Sequence, residues 1–219
     1  LQDKLTDIQK AFDEKKLTSS QLARFLSESK ENLGIIYRNM ERAASLISSF
    51  KRVAVDQSNE NRRQFNMLQL INEVLLSLRP NLKKTQHQVL VDCPPELELD
   101  SKPGPINQIL INLIMNSLIH AFEHIEQGEM HITVQIKDNR CFLNYSDNGA
   151  GVPESIKKRI FDPFVTTKRG EGGSGLGLHL VYNLVTQALN GKIQLESTLG
   201  AGIQIQINFP VIIKSAHPA

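Results

Sequence analysis

Leu1, Leu5, Ile8 and Phe12 recur at steps of four, three and four, the spacing that lines up one face of a helix. A polar break at residues 13–16 follows, and Thr18 and Ser19 are candidate N-caps for what comes next. A second series runs through Leu22, Leu26, Ser29, Leu33, Ile36, Met40, Ala43, Ile47, Phe50 and Ala54, alternating steps of four and three. A seam this regular predicts a long helix in a bundle or coiled coil, because a helix laid on a globular core carries a wider apolar face and is shorter. The second helix would be on the order of 50 Å long at the helical rise, whereas the first offers only about a dozen residues before the break. In an antiparallel hairpin most of the second helix would lack a partner, and two helices make a poor core. The expectation for residues 1–57 is therefore a hairpin that dimerises into four helices, with about twenty residues of its first helix upstream of Leu1.

After Gln57 the texture changes to mixed helix and strand, giving a second domain over residues 58–219. Arg63–Met67 reads as a short strand and Leu68–Leu78 as an amphipathic helix stopped near Pro80. Gln88–Asp92 is a strand, and Pro103 and Pro105 open an apolar helix from about Ile106 to Phe122. Ile132, Val134 and Ile136 alternate with polar residues, turn at Asp138-Asn139 and return through Cys141–Tyr145 as a hairpin. A short helix follows Pro153, then a glycine-rich stretch, then a helix from about Leu176 to Leu189 with Gly191 as its stop. Lys192–Ser197 and the alternating Ile203, Ile205, Ile207 and Phe209 close the chain as strands. Their period of two predicts a sheet with one wet face and one face covered by helices, an α/β sandwich, so the whole is of the α+β class.

Composition narrows the function classes. Lys and Arg number 25 against 23 Asp and Glu, a net charge of +2, which argues against a strongly basic nucleic-acid binder and against an acidic disordered tail. Two cysteines, Cys93 and Cys141, make neither a disulfide framework nor a metal cluster and read as reduced core thiols in a cytoplasmic setting. No apolar run reaches the roughly 18 residues needed to span a bilayer.

Four clusters carry chemistry. Asn112, Asn116 and His120 lie four apart and so emerge in a row from an otherwise apolar helix. Such a row serves either helix–helix hydrogen bonding or a polar ligand, since Asn offers an amide oxygen to a hard cation and an NH2 to a phosphate oxygen. Asp147-Asn148-Gly149-Ala150-Gly151 is turn chemistry in its plainest reading. It is equally a carboxylate able to accept from an exocyclic amine while the glycines let backbone close on a flat ring. Phe161-Asp162-Pro163-Phe164 suggests packing, and Thr166, Thr167, Lys168 and Arg169 after it could meet phosphates. Last come Gly170, Gly172, Gly173, Ser174, Gly175, Leu176 and Gly177 at the start of a helix. Glycines there expose backbone N–H groups to an anion, and the position suggests a lid over a nucleotide. The spacing lacks the Gly-Lys-Ser/Thr ending of a P-loop and follows no strand directly.

Their order, Asn116, the Asp147 loop, Phe-Asp-Pro-Phe and then Gly-Ser-Gly-Leu-Gly-Leu, resembles the N, G1, F and G2 boxes of sensor histidine kinases. The resemblance covers about residues 60 to 212, and the upstream seam is similar to the second helix of that family's dimerisation and histidine-phosphotransfer hairpin. It implies a Bergerat ATP-binding sandwich acting as a homodimer, with ATP and Mg²⁺ as cofactors and a response-regulator receiver domain as partner. By the same resemblance Asn116 would hold Mg²⁺, Asn112 would support the phosphates, and Asp147 would take the adenine amino group with Gly149 and Gly151 lining the base. Gly173, Gly175, Leu176 and Gly177 would offer backbone N–H groups to the phosphates. Two positions depart from the family pattern. Ile119 stands where many members carry Lys or Arg, which would leave phosphate charge to His120, Lys168 or Arg169, with the Thr167 hydroxyl among the phosphate-side residues. Ile203 stands where many have Thr near adenine.

The resemblance also requires a phosphoacceptor histidine followed by an acidic residue. The histidines are 87, 120, 124, 131, 179 and 217, and none lies in the hairpin. Competing readings are a degenerate, nucleotide-gated dimeric scaffold and a hydrolysing ATPase on the same sandwich. The latter resembles Glu-x-x-x-Asn, and Asn112 occupies the position of that Glu, as it does against the mitochondrial-type serine kinases. The expectation is that the phosphoacceptor lies upstream of Leu1, in a parent chain that is either cytoplasmic throughout or membrane-anchored with this portion in the cytoplasm. The upstream sequence should show His-Glu or His-Asp within about twenty residues, one helix-length of the missing partner. A longer chain given radiolabelled ATP should then acquire acid-labile, alkali-stable phosphate, whereas the 219 residues alone should not. An upstream sequence with no such histidine would sink the idea.

Overall fold

The computed structural model describes residues 2–37, 40, 62–167 and 174–212. The chain divides into two compact units, Leu1–Ser48 and Ser49–Ala219.

In the first unit α1 spans Gln2–Asp13 and ends in a turn where Lys15 takes a left-handed conformation, φ 53°. The second helix, α2, covers residues 19–37. Thr18 is its N-cap: its hydroxyl accepts from the Gln21 N–H at 3.3 Å while the Gln21 side chain accepts from the Thr18 N–H at 2.9 Å. That reciprocal box satisfies two donors that a helix start otherwise leaves bare. The continuation of the seam through Ala43, Ile47, Phe50 and Ala54 lies outside the described residues.

The second unit is a sheet with helices on one face. Strand β1 (Arg63–Asn66) pairs antiparallel with β3 (Glu98–Ser101) as a small separate ribbon. The main sheet comprises β2 (Gln88–Asp92), β4 (Glu129–Lys137), β5 (Arg140–Asp147), β6 (Lys192–Ser197) and β7 (Ile203–Pro210), in the order β2-β4-β5-β7-β6. Only the β2–β4 pair is parallel. Along β5 every second residue, Cys141, Leu143, Tyr145 and Asp147, points into the covered face. Val134 opposite Leu143 and Leu143 opposite Ile207 show that the register keeps apolar positions aligned across three strands. The covering helices are α3 (Met67–Leu82), α4 (Pro103–Asn116) and α6 (Gly177–Asn183); the short α5 is Glu154–Lys157. Ile106, Ile109, Leu110, Leu113 and Ile114 of α4 are fully buried among them. Cys141 is a buried free thiol, pushed up to about 12 chiefly by burial, and Cys93 is a half-buried one.

Several boundaries differ from the sequence reading. The helix α3 starts at Met67 rather than after it, because the Asn66 side chain caps it by accepting from the Gln69 N–H at 2.8 Å. It also runs past Pro80 to Leu82, since a proline in a last, partly solvated turn forfeits one hydrogen bond without blocking the packed face. Strand β3 carries no long apolar run and went unpredicted; Leu99, inside the core, is what holds it. The α4 helix begins earlier, at Pro103, with prolines in a first turn that needs no N–H donors. It widens over Ser117–Ala121 into a turn closed by Phe122 N–H to the Ser117 carbonyl at 3.0 Å, five residues back. The α6 helix widens likewise over Leu184–Ala188, and Asn190, φ 51°, rather than Gly191 takes the left-handed stop. The β4–β5 hairpin turns through Asp138 and Asn139, φ 49° and 55°, as a two-residue loop should.

Two glycines in the β6–β7 turn separate backbone strain from crowding. Gly200 (φ 79°) has open space where a Cβ would stand, whereas a Cβ at Gly202 (φ 81°) would sit 1.8 Å from the Asp147 carbonyl oxygen. Gly200→Ala should cost about 1–2 kcal/mol, the left-handed penalty alone. Gly202→Ala should cost more than about 3 kcal/mol, because the backbone it meets cannot yield. Urea unfolding of both variants checks this, and equal losses would refute the distinction.

Candidate functional site

Asn112 and Asn116 stand on one side of α4, one turn apart, with His120 continuing the row on the widened turn. Asn112 spends its NH2 on its own helix, donating to the Gln108 carbonyl at 2.7 Å, so its amide oxygen remains to accept elsewhere. Asn116 buries its NH2 with no hydrogen-bond partner among the described residues. Both amides border the first residue of α6: a Cβ at Gly177 would lie 3.0 Å from Asn116 Oδ1 and 3.5 Å from Asn112 Oδ1. A glycine at that point lets α6 approach the row closely enough for its backbone to share the site.

Asp147 ends β5 on the covered face, 5% exposed. Its Oδ1 accepts from the Gly149 N–H at 3.0 Å and its Oδ2 from the Ser117 hydroxyl at 2.5 Å. Burial pushes its carboxyl above the usual range, and the donors from Ser117, Gly149 and the Ile203 backbone pull the other way. Behind Ser117 stands the Tyr145 hydroxyl at 2.7 Å, fully buried. The loop after Asp147 is clamped to the end of α4, with Ala150 N–H donating to the Ala121 carbonyl at 2.9 Å. A Cβ at Gly149 would strike Ala121, and one at Gly151 (φ 70°) would lie 2.2 Å from the Thr198 carbonyl.

The far wall comes from the Phe161–Thr167 segment and from residues 174–178. Phe164 N–H donates to the Gly175 carbonyl at 2.9 Å, and both residues are left-handed, φ 67°. Phe164 is 49% exposed, so its backbone rather than its ring joins the two segments, contrary to a packing role. Phe161 does pack, against the Tyr182 ring at 5.6 Å. His179 ties the same segment to α6 through its Nδ1, 2.9 Å from the Phe161 carbonyl, while its Nε2 lies 3.1 Å from the Asn183 side-chain nitrogen.

These elements enclose a cleft of about 260 Å³. Asn112, Asn116, His120, Asp147, Gly151, Thr167, Gly175 and Gly177 all line it, and Gly149 and Leu176 flank it. Ile119 and Ile203, the two departures from the family pattern, are also on its wall. Lys168, Arg169, Gly170, Gly172 and Gly173 lie outside the described residues. Ser117 and Tyr145 were missed from sequence. The signals were there: a hydroxyl on the buried side of an apolar helix, and a tyrosine two residues before Asp147, hence on its face of the sheet.

Residues 101–213 match the family of histidine kinase-, DNA gyrase B- and HSP90-like ATPases. A protein named as a sensor in Shewanella frigidimarina is 31% identical over 84% of this chain and 28% of its own length. The signal transduction histidine-protein kinase AtoS of Escherichia coli is 37% identical over 52% of this chain and 19% of its own. The chain therefore spans less than a third of the length of the curated relatives it matches. Among solved structures, the catalytic domain of histidine kinase ThkA superposes with a TM-score of 0.60 at 28% identity, covering 68% of this chain and 95% of that one. With the sheet order, the cleft and the matched residues in agreement, the chain belongs to the family of histidine kinase-, DNA gyrase B- and HSP90-like ATPases.

Proposed function

We propose that this chain is the ATP-binding catalytic core of a sensor histidine kinase, which phosphorylates a histidine for onward transfer to a response-regulator aspartate. The observation that carries the reading is the cleft itself, whose lining brings a buried carboxylate, Asp147, together with a pair of asparagine amides, Asn112 and Asn116. Asp147 accepts the exocyclic amino group of adenine, and the backbone at Gly149 and Gly151, free of side chains, forms the edge against the ring. Thr167, Gly175, Leu176 and Gly177 supply hydroxyl and backbone donors toward the phosphates, with His120 beside them. Lys168, Arg169 and Gly173 extend that set.

The asparagine pair fits a hard cation shared with phosphate. Asn112 has its nitrogen occupied and its oxygen available, and Asn116 has an unpartnered NH2 to give a phosphate oxygen while its Oδ1 is the atom suited to the cation. Asn116 would hold Mg²⁺ with Asn112 in support. When bound, the ion neutralises charge on the phosphates during transfer. The chain's own residues orient the nucleotide and present its terminal phosphate; the nucleophile is the histidine of the partner segment.

Among the described residues the only carboxylate lining the cleft is Asp147, at the base-binding end. Asn112 stands where a hydrolysing relative on this sandwich would carry Glu, which favours transfer to a histidine over hydrolysis. The hairpin supports a homodimer: Leu26 and Leu33 of the α2 seam are each 57% exposed, an apolar row suited to a second copy. No helix among the described residues is long and apolar enough to cross a membrane.

Isothermal titration with ATP and Mg²⁺ tests the site. Asp147→Asn should weaken ATP binding at least about 100-fold, since it replaces an ionised acceptor by a group that also donates. Asn116→Ala should mainly remove the dependence of affinity on Mg²⁺. Because the Asp147 carboxyl is raised, affinity should fall on acidification at a higher pH than an ordinary aspartate would give. Unchanged ATP affinity in Asp147→Asn would overturn the assignment.

A further inference from the structure

We propose that Tyr145 and Ser117 are positioning residues that hold Asp147 as a pure hydrogen-bond acceptor and so make the site choose a 6-aminopurine over a 6-oxopurine. The proposal rests on the nucleotide reading of the cleft and adds what sets its base preference. Three polar groups lie in a line under the sheet: the Tyr145 hydroxyl, the Ser117 hydroxyl at 2.7 Å, and Asp147 Oδ2 at 2.5 Å from Ser117. Ser117 has one proton to give, and a carboxylate takes it. Tyr145 must then donate to the serine oxygen, because the serine has no second proton with which to donate back. The direction is fixed at both ends. Burial, the leading cause, raises the Tyr145 phenol well above its ordinary value, so it keeps its proton. The Gly149 N–H, a backbone donor that cannot be reversed, occupies the other carboxylate oxygen.

A carboxylate fed by donors on both oxygens presents only lone pairs to the cleft. Such an edge pairs with the amino group of adenine and repels the carbonyl that a 6-oxopurine puts in the same place, so that oxygen is accepted there only with a proton on Asp147. Removing a donor raises the carboxyl further and lets it carry that proton. Among the described residues the titratable groups near Asp147 are Tyr145, on the same face of its own strand, and His120, which lines the same cleft from the end of α4. Neighbouring strands bring Met130 and Ile203, neither titratable. Titration of His120 would alter ATP and ITP affinity together, so the ratio between them isolates Asp147.

The test measures ATP and ITP affinities of the full chain with Mg²⁺ across pH 5.5–8.5 (about the range over which such groups titrate), for the native protein, Ser117→Ala and Tyr145→Phe. Ser117→Ala should weaken ATP about tenfold, the size of one hydrogen bond to a charged group, and strengthen ITP relative to ATP. The acid limb of its ATP profile should move to higher pH. Tyr145→Phe removes one oxygen and keeps the ring, so it should shift the ratio in the same direction by about twofold to threefold. Equal weakening of both nucleotides with an unmoved acid limb would overturn the proposal and leave a packing role. If Ser117→Ala does not fold, Tyr145→Phe decides: an unchanged ATP-to-ITP ratio overturns the proposal. Failure of the native protein to bind ATP would overturn the site reading instead, a result distinguishable from either.

Discussion

A carboxylate held out of water against the covered face of a sheet is an unfavourable thing to build, and Asp147 imposes that condition on everything near it. An ionised group in such a place needs donors that are already fixed in position. They arrive from three parts of the chain: a hydroxyl on α4, the backbone of its own loop, and the backbone of β7. The raised carboxyl means that these donors offset burial only in part. The folded state is then stabilised by protonating Asp147, a contribution present at low pH and lost as pH rises through its folded pKa. A position kept ionised at a cost to the fold is one where function, rather than stability, accounts for the residue.

The geometry around that carboxylate follows from close approach. Gly149 lies against Ala121, Gly151 against Thr198, Gly202 against the Asp147 carbonyl and Gly177 against the asparagine pair. At Gly149, Gly151 and Gly202 the contact is too short for a side chain, and at Gly177 it is tight against the asparagine amides, so three segments close on the site at their glycines. The widened turn at Ser117–Ala121 belongs to the same requirement. It ends α4 with Ser117 turned toward Asp147 and with the Ala121 carbonyl free to accept from the loop.

The far wall is tied together by the Phe164 to Gly175 bond, and His179 of α6 holds the Phe161 carbonyl. That division suits a nucleotide site. The proposed base-binding carboxylate sits in a packed core with backbone donors, and the opposite wall is made of loop segments.

Local chemistry was enough to read much of this protein. Alternation in Ile132–Ile136 and Ile203–Phe209, the Asp138-Asn139 turn, the Thr18 cap and the row from Asn112 to His120 each declare themselves, because strand period, turn geometry and helix spacing are properties of neighbours in sequence. The order of the motifs carried the family resemblance. Tertiary structure decided the rest. Strand β3 exists because β1 pairs with it and the core takes Leu99, and α3 passes Pro80 because its buried face outweighs one missing bond. Ser117 joined the site for a similar reason: it meets Asp147 and Tyr145 only when β5 and the end of α4 pack together, across 30 residues of chain to the aspartate. A hydrogen bond between distant segments leaves no period in the sequence, so its partners become visible only in the folded protein.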